Sequence, residues 1–103
     1  EFKKTSAVMV IWSKTAQVQL KKAFNFISDE SPQNAEKIIN KIIDTSIGLP
    51  KHPEKYPPDK YKKNNSGNYR VFEIYHYRIS YLIVNDSIYI VRMRHTSMSP
   101  LVY

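Results

Sequence analysis

At 103 residues the chain is large enough for one hydrophobic core and too small for two. Its 42% hydrophobic and 13% aromatic content is that of a globular domain, with no apolar run of about 18 residues to span a membrane and no sustained apolar stretch at the start to mark a signal peptide. The absence of cysteine excludes disulfides, thiolate metal sites and a cysteine nucleophile, and fits a cytoplasmic protein. The net charge of +7 is unevenly placed. Residues 13–47 carry five Lys against four acids, whereas residues 48–103 carry nine Lys and Arg against four. Such a one-sided excess suits nucleic acid or an acidic partner, through counterion release and steering.

Residues 1–8 read as a cloning remnant or an upstream extension, and the domain as residues 9–103. Met9-Val-Ile-Trp12 is a short apolar strand. Ser13 or Thr15 caps a first helix, whose apolar face is Val18, Leu20, Ala23, Phe24 and Ile27. The break Asp29-Glu-Ser-Pro32 offers Ser31 as N-cap and Pro32 as first residue of a second helix. There Ala35, Ile38, Ile39, Ile42, Ile43 and Ile47 form a core stripe, and Gly48 ends the helix. The short connection predicts an antiparallel helical hairpin. From Leu49 to Asn68 four prolines forbid regular structure, and Lys51, Lys55, Lys60, Lys62 and Lys63 make the segment basic. A loop of this length is either a functional element or a variable connector.

The last third predicts a three-stranded meander, roughly Tyr69–Ile74, Tyr77–Val84 and Ser87–Arg94, with two-residue turns at Tyr75-His76 and Asn85-Asp86. The first turn sets Glu73 opposite Arg78 and Val71 opposite Ser80. The second sets Ser80 opposite Val91 and Arg78 opposite Met93. By alternation Glu73, Arg78, Met93 and His95 share an open face, while Tyr77, Ile79, Tyr81 and Ile83 face the core. Arg92 and Arg94 point to the other face unless a bulge intervenes, since a one-residue slip reverses every assignment. The expected fold class is α+β, with an N-terminal strand, a helical hairpin and an antiparallel meander, the helices packed on one face of the sheet.

Four segments in this order resemble the RelE/ParE superfamily of toxins from bacterial type II toxin–antitoxin systems, the plasmid-stabilisation type. They are Val10-Ile-Trp-Ser-Lys-Thr-Ala16, Phe26-Ile-Ser-Asp-Glu-Ser-Pro-Gln-Asn-Ala35, Tyr77-Arg-Ile-Ser-Tyr81 and Ile88-Tyr-Ile-Val-Arg-Met-Arg-His95. The resemblance implies a growth inhibitor neutralised by a cognate antitoxin, with one of two activities. ParE-like members bind DNA gyrase and trap cleaved DNA. RelE-like members are ribosome-dependent endoribonucleases that cleave messenger RNA and need a base, an acid and cations. The Ser-Pro-x-x-Ala junction and the Arg-x-Arg-His ending favour the ParE-like activity. A basic binding domain without toxicity is a third reading.

The resemblance makes Arg78 the middle-strand arginine and brings Arg70, His95 and Glu73 forward as the remaining catalytic candidates. Arg70 sits at or near a position where RNA-cleaving members carry a cation, Phe72 falls close to another of their basic positions, and the Arg94-His95 ending is displaced by about one residue from their catalytic His. Lys60, Lys62, Lys63, Arg92, Arg94 and Tyr103 are candidates for contact with RNA or a protein partner. Simpler readings stand beside these: Arg78 pairs with Glu73 across a hairpin, and His95 is an ordinary strand-end residue. Three dispersed His without Cys give no metal site, and two glycines leave no phosphate loop, so no cofactor and no membrane partner are expected.

Overall fold

The computed structural model describes residues 9–103, so the expectation for residues 1–8 lies outside the described residues. The elements run β1 (Val10–Trp12), α1 (Lys14–Glu30), α2 (Pro32–Gly48), a 3-10 turn (Leu49–Lys51), β2 (Tyr69–Ile74), β3 (Tyr77–Val84) and β4 (Ser87–His95). The four strands form one sheet in the order β1-β4-β3-β2, with β1 parallel to β4 and the other pairs antiparallel. This is the expected α+β architecture, with the helical hairpin packed against the sheet.

Ser13 is the residue that caps α1, accepting from the Ala16 N–H at 3.1 Å, while Thr15 falls inside the helix. Ser31 acts on both helices. Its N–H donates to the Ile27 carbonyl at 2.9 Å and closes α1, and its hydroxyl accepts from the Asn34 N–H at 3.1 Å and opens α2. Pro32 occupies the first turn, where no intrahelical donor is lost.

Two expected core stripes shift around their helices. In α2 the buried line is Ala35, Ile39, Ile42 and Ser46, and Ile47 is 63% exposed. At about 100° per residue, Ile47 lies about 120° round from Ala35, and Ser46 only about 20°. The Ser46 hydroxyl stays satisfied by returning to the Ile43 carbonyl at 2.7 Å. In α1 the close contact runs through the small residues Ala16 and Ala23, flanked by Leu20 and Ile27, which leaves Val18 and Phe24 largely exposed. Gly48 has φ −79°, so α2 passes directly into the 3-10 turn and no left-handed glycine is used.

The Tyr75-His76 hairpin has the predicted register: Glu73 lies opposite Arg78 and Val71 opposite Ser80. Both turn residues take positive φ, 49° and 71°. The second hairpin departs from expectation. Ser80 faces Arg92 rather than Val91, Arg78 faces Arg94 rather than Met93, and Tyr81 faces Ile90. Val91 is therefore the extra residue of a β-bulge. Its carbonyl accepts from the Ser13 hydroxyl at 3.1 Å, and the next two-residue step is fixed by the Met93 N–H donating to the Gln19 side chain at 2.6 Å.

The bulge corrects the face assignment. Ile88 and Ile90 before it, and Met93 after it, all face the helices with Tyr77, Ile79, Tyr81 and Phe72. Met93 and His95 thus leave the face of Glu73 and Arg78, and Arg92 and Arg94 join it.

The proline-rich segment is tied down. Its residues 57–59 lie along the free edge of β2, with the Asp59 N–H donating to the Tyr69 carbonyl at 2.8 Å and the Val71 N–H to the Pro57 carbonyl at 3.0 Å. That covers an edge otherwise open to pairing. Asn65 staples the end of the loop, donating to the Asp59 and Tyr69 carbonyls and accepting from the Gly67 and Tyr69 N–H groups.

Candidate functional site

On the sheet face away from the helices, polar side chains from four parts of the chain meet. Arg78 and Ser80 project from β3, Arg92 and Arg94 from β4, Asp59 and Tyr61 come from the loop, and Tyr103 from the returning C-terminal segment. Alternation along β3 places Arg78 and Ser80 on the face opposite the core residues Tyr77, Ile79 and Tyr81.

Asp59 is the hub, and it is 1% exposed. Its carboxylate accepts from the Ser80 hydroxyl at 2.8 Å, the Tyr103 hydroxyl at 2.6 Å and the Tyr61 N–H at 3.0 Å. Arg78 stands 3.6 Å away. Burial by itself raises a carboxyl pKa, but these hydrogen bonds and the Arg78 charge outweigh it and hold Asp59 below its ordinary value. Conversely, burial and the bond to Asp59 push the Tyr103 hydroxyl up to about 12. Tyr103 therefore stays a proton donor to Asp59 at neutral pH.

Arg78 bridges two acids, the buried Asp59 and the exposed Glu73, the latter at 2.8 Å, and lies over the Tyr61 ring at 4.9 Å. The other cations have neutral partners. Arg92 stacks on the Tyr103 ring at 3.8 Å and donates to the Leu101 carbonyl. Arg94 donates to the Ser99 carbonyl at 2.9 Å, and its buried Nε has no partner. Lys62 lies 4.7 Å from the Tyr69 ring centroid and 5.4 Å from that of Tyr103, and Lys60 lies 5.4 Å from that of Tyr61. Lys63 is exposed on the same loop, its N–H donating to the Tyr103 carbonyl. Burial lowers the Arg92 pKa, with no effect on its charge at neutral pH.

Strand alternation turns two sequence candidates to the face opposite Arg78, although His95, at the strand end, still borders the small cleft lined by Arg78, Ser80, Arg92 and Arg94. Arg70 pairs with Tyr81 and so lies on the core-side face, where its guanidinium donates to the Gly67, Tyr56 and Glu54 carbonyls. It latches the proline-rich loop. His95 pairs with Tyr77, its ring 4.9 Å edge-on from the Tyr77 ring, and its Nδ1 accepts from the Ser97 N–H at 3.0 Å. His95 also lines an open apolar groove of about 510 Å³ with Ala23, Phe26, Met93 and Met98. A second groove of about 710 Å³, lined by Trp12, Leu20, Phe24 and Ile43, flanks the other side of α1.

Sequence reasoning missed Asp59. Its signal is visible afterwards: it is the single acid in the basic run Lys55–Lys63, directly after two prolines that hold it rigid. Among the described residues no group of three His, Asp or Glu side chains is placed to hold a metal ion, and no helix is long and apolar enough to cross a membrane.

Residues 10–100 match the family model described as the ParE toxin of the type II toxin–antitoxin system, parDE. Among solved structures the chain is similar to the chromosomal ParDE toxin–antitoxin system from P. aeruginosa, at 13% identity and a TM-score of 0.66, covering 88% of this chain and 98% of that one. At that identity the likeness speaks for the fold. No curated protein matches.

Proposed function

Because the chain belongs to the ParE family of toxins from type II toxin–antitoxin systems, we propose that it arrests growth by poisoning DNA gyrase rather than by cutting messenger RNA. One observation carries this reading: the groups beside Arg78 that could act as acid or base are already engaged. His95 lines the small cleft with Arg78, but its Nδ1 is taken by Ser97, and the Tyr103 hydroxyl is committed to Asp59. Arg78 is itself engaged by two carboxylates. A transesterification site wants a free base near the attacking hydroxyl and an unneutralised cation at the phosphate. The open face offers cations, while its two carboxylates, Asp59 and Glu73, are held by Arg78.

The antitoxin that such a module implies has a complementary surface on the helical side. The grooves beside α1 carry exposed Phe24 and Phe26 with Lys21 and Lys22 among their linings. A segment with apolar residues at helical spacing and acidic flanks fits both features.

The test compares two reactions with one purified protein. Gyrase-dependent accumulation of cleaved DNA, together with intact messages in a translating extract, is the expected outcome. Site-specific message cleavage that Arg78→Ala abolishes, with gyrase unaffected, overturns the reading. His95→Gln is expected to leave the gyrase effect in place.

A further inference from the structure

We propose that the face carrying Lys60, Lys62, Lys63, Arg92 and Arg94 grips the phosphate backbone of duplex DNA directly. The inference rests on the gyrase reading above, and adds a nucleic-acid contact made by this chain itself.

The cations of this face are held in two ways. Among the described residues the ion pairs are the two that Arg78 makes, to Asp59 and to Glu73. The acids of this face are thus spent on one arginine. Four of the remaining cations are positioned by neutral groups: Tyr103 and the Leu101 carbonyl for Arg92, the Ser99 carbonyl for Arg94, Tyr69 and Tyr103 for Lys62, and Tyr61 for Lys60, with Lys63 exposed beside them. Aromatic faces and carbonyls fix a cation in place and leave its charge uncancelled. The result is a set of like charges with little freedom left to lose on binding. That arrangement opposes itself unless an extended anion lies over it.

The same stacking decides between two modes of nucleic-acid contact. Single-strand binders offer bare aromatic faces to bases. Here the faces of Tyr61, Tyr69 and Tyr103 already carry Arg78, Lys60, Lys62 and Arg92. These rings hold cations rather than standing bare for bases, so the contact is to phosphates and independent of sequence.

The experiment is fluorescence anisotropy of a labelled 20-base-pair duplex of arbitrary sequence, titrated with the whole chain between about 50 and 200 mM salt. Four to five phosphate contacts predict a slope of log K against log salt of about −4. Lys62→Gln and Arg92→Gln are each expected to flatten the slope by about one unit, equally for unrelated sequences. Lys37→Gln, an exposed lysine on α2, is expected to change nothing. Absence of duplex binding at 50 mM salt overturns the inference, as does equal sensitivity to Lys37→Gln. Tenfold tighter binding of single-stranded RNA or DNA at equal salt also overturns it. Gyrase poisoning that persists in a protein with no duplex affinity sinks this inference and leaves the gyrase reading standing.

Discussion

Replacing Asp59 by Asn is the sharpest test of the polar cluster, because it keeps the volume and removes the charge. Three donors converge on the carboxylate, from Ser80, Tyr103 and Tyr61, at 2.6 to 3.0 Å. A hydrogen bond to a charged group contributes about 1 kcal/mol more than a neutral one, so neutralising the acceptor costs roughly 3 kcal/mol over three bonds. The carboxamide must also place an N–H₂ among groups that are already donors, which works in the same direction. Arg78 keeps Glu73 as a partner, so its charge is not left bare. For a domain of this size, about 3 kcal/mol lowers the melting temperature by roughly 15 °C. Urea unfolding followed by Tyr and Trp fluorescence gives the free energy directly. Glu73→Gln serves as the control, since an exposed pair contributes less than about 1 kcal/mol. An Asp59→Asn protein within about 1 kcal/mol of the parent would refute the claim that the carboxylate organises this face.

The Asp59 pKa is depressed on folding, so its contribution is complete above the ordinary value of 3.8 and is lost as pH falls through the lower folded value. Melting temperatures measured from pH 5 down to pH 2 should therefore fall less steeply for Asp59→Asn than for the parent. The Tyr75-His76 turn holds two bulky residues at positive φ, a conformation costing about 1–2 kcal/mol each. Tyr75→Asn with His76→Gly is expected to stabilise by about 1 kcal/mol net of the unfolded-state entropy of glycine, read by the same denaturation. Ser31→Ala removes the acceptor for the Asn34 N–H and should cost about 1 kcal/mol in the same urea denaturation.

Elements governed by local rules were legible in the sequence. The Ser31-Pro32 junction, the first hairpin register and the apolar face of β3 all follow from capping and alternation over a few residues. The second hairpin was not, because the bulge at Val91 and the step after it are held by the N-cap Ser13 and by Gln19 of α1, far off in sequence. A strand pattern carries no sign of a partner so distant, and one inserted residue reverses every side chain beyond it. Asp59 was hidden for a related reason. A lone acid among lysines reads as a solvated loop residue until Ser80 and Tyr103 are seen to close on it.

The parallel pairing of β1 with β4 has a consequence for how the protein comes into being. Ser13, directly after β1, bonds to a residue 78 positions later. Contacts of such long range form late, since the intervening chain must be closed before they contribute. The helical hairpin, made of neighbours, forms early. A nascent chain still holding β4 inside the ribosome is therefore a pair of helices without its sheet, lacking Arg92 and Arg94 beside Arg78. The face that joins Arg78 to Arg92 and Arg94 is assembled only once β4 has emerged and closed against β3 and β1.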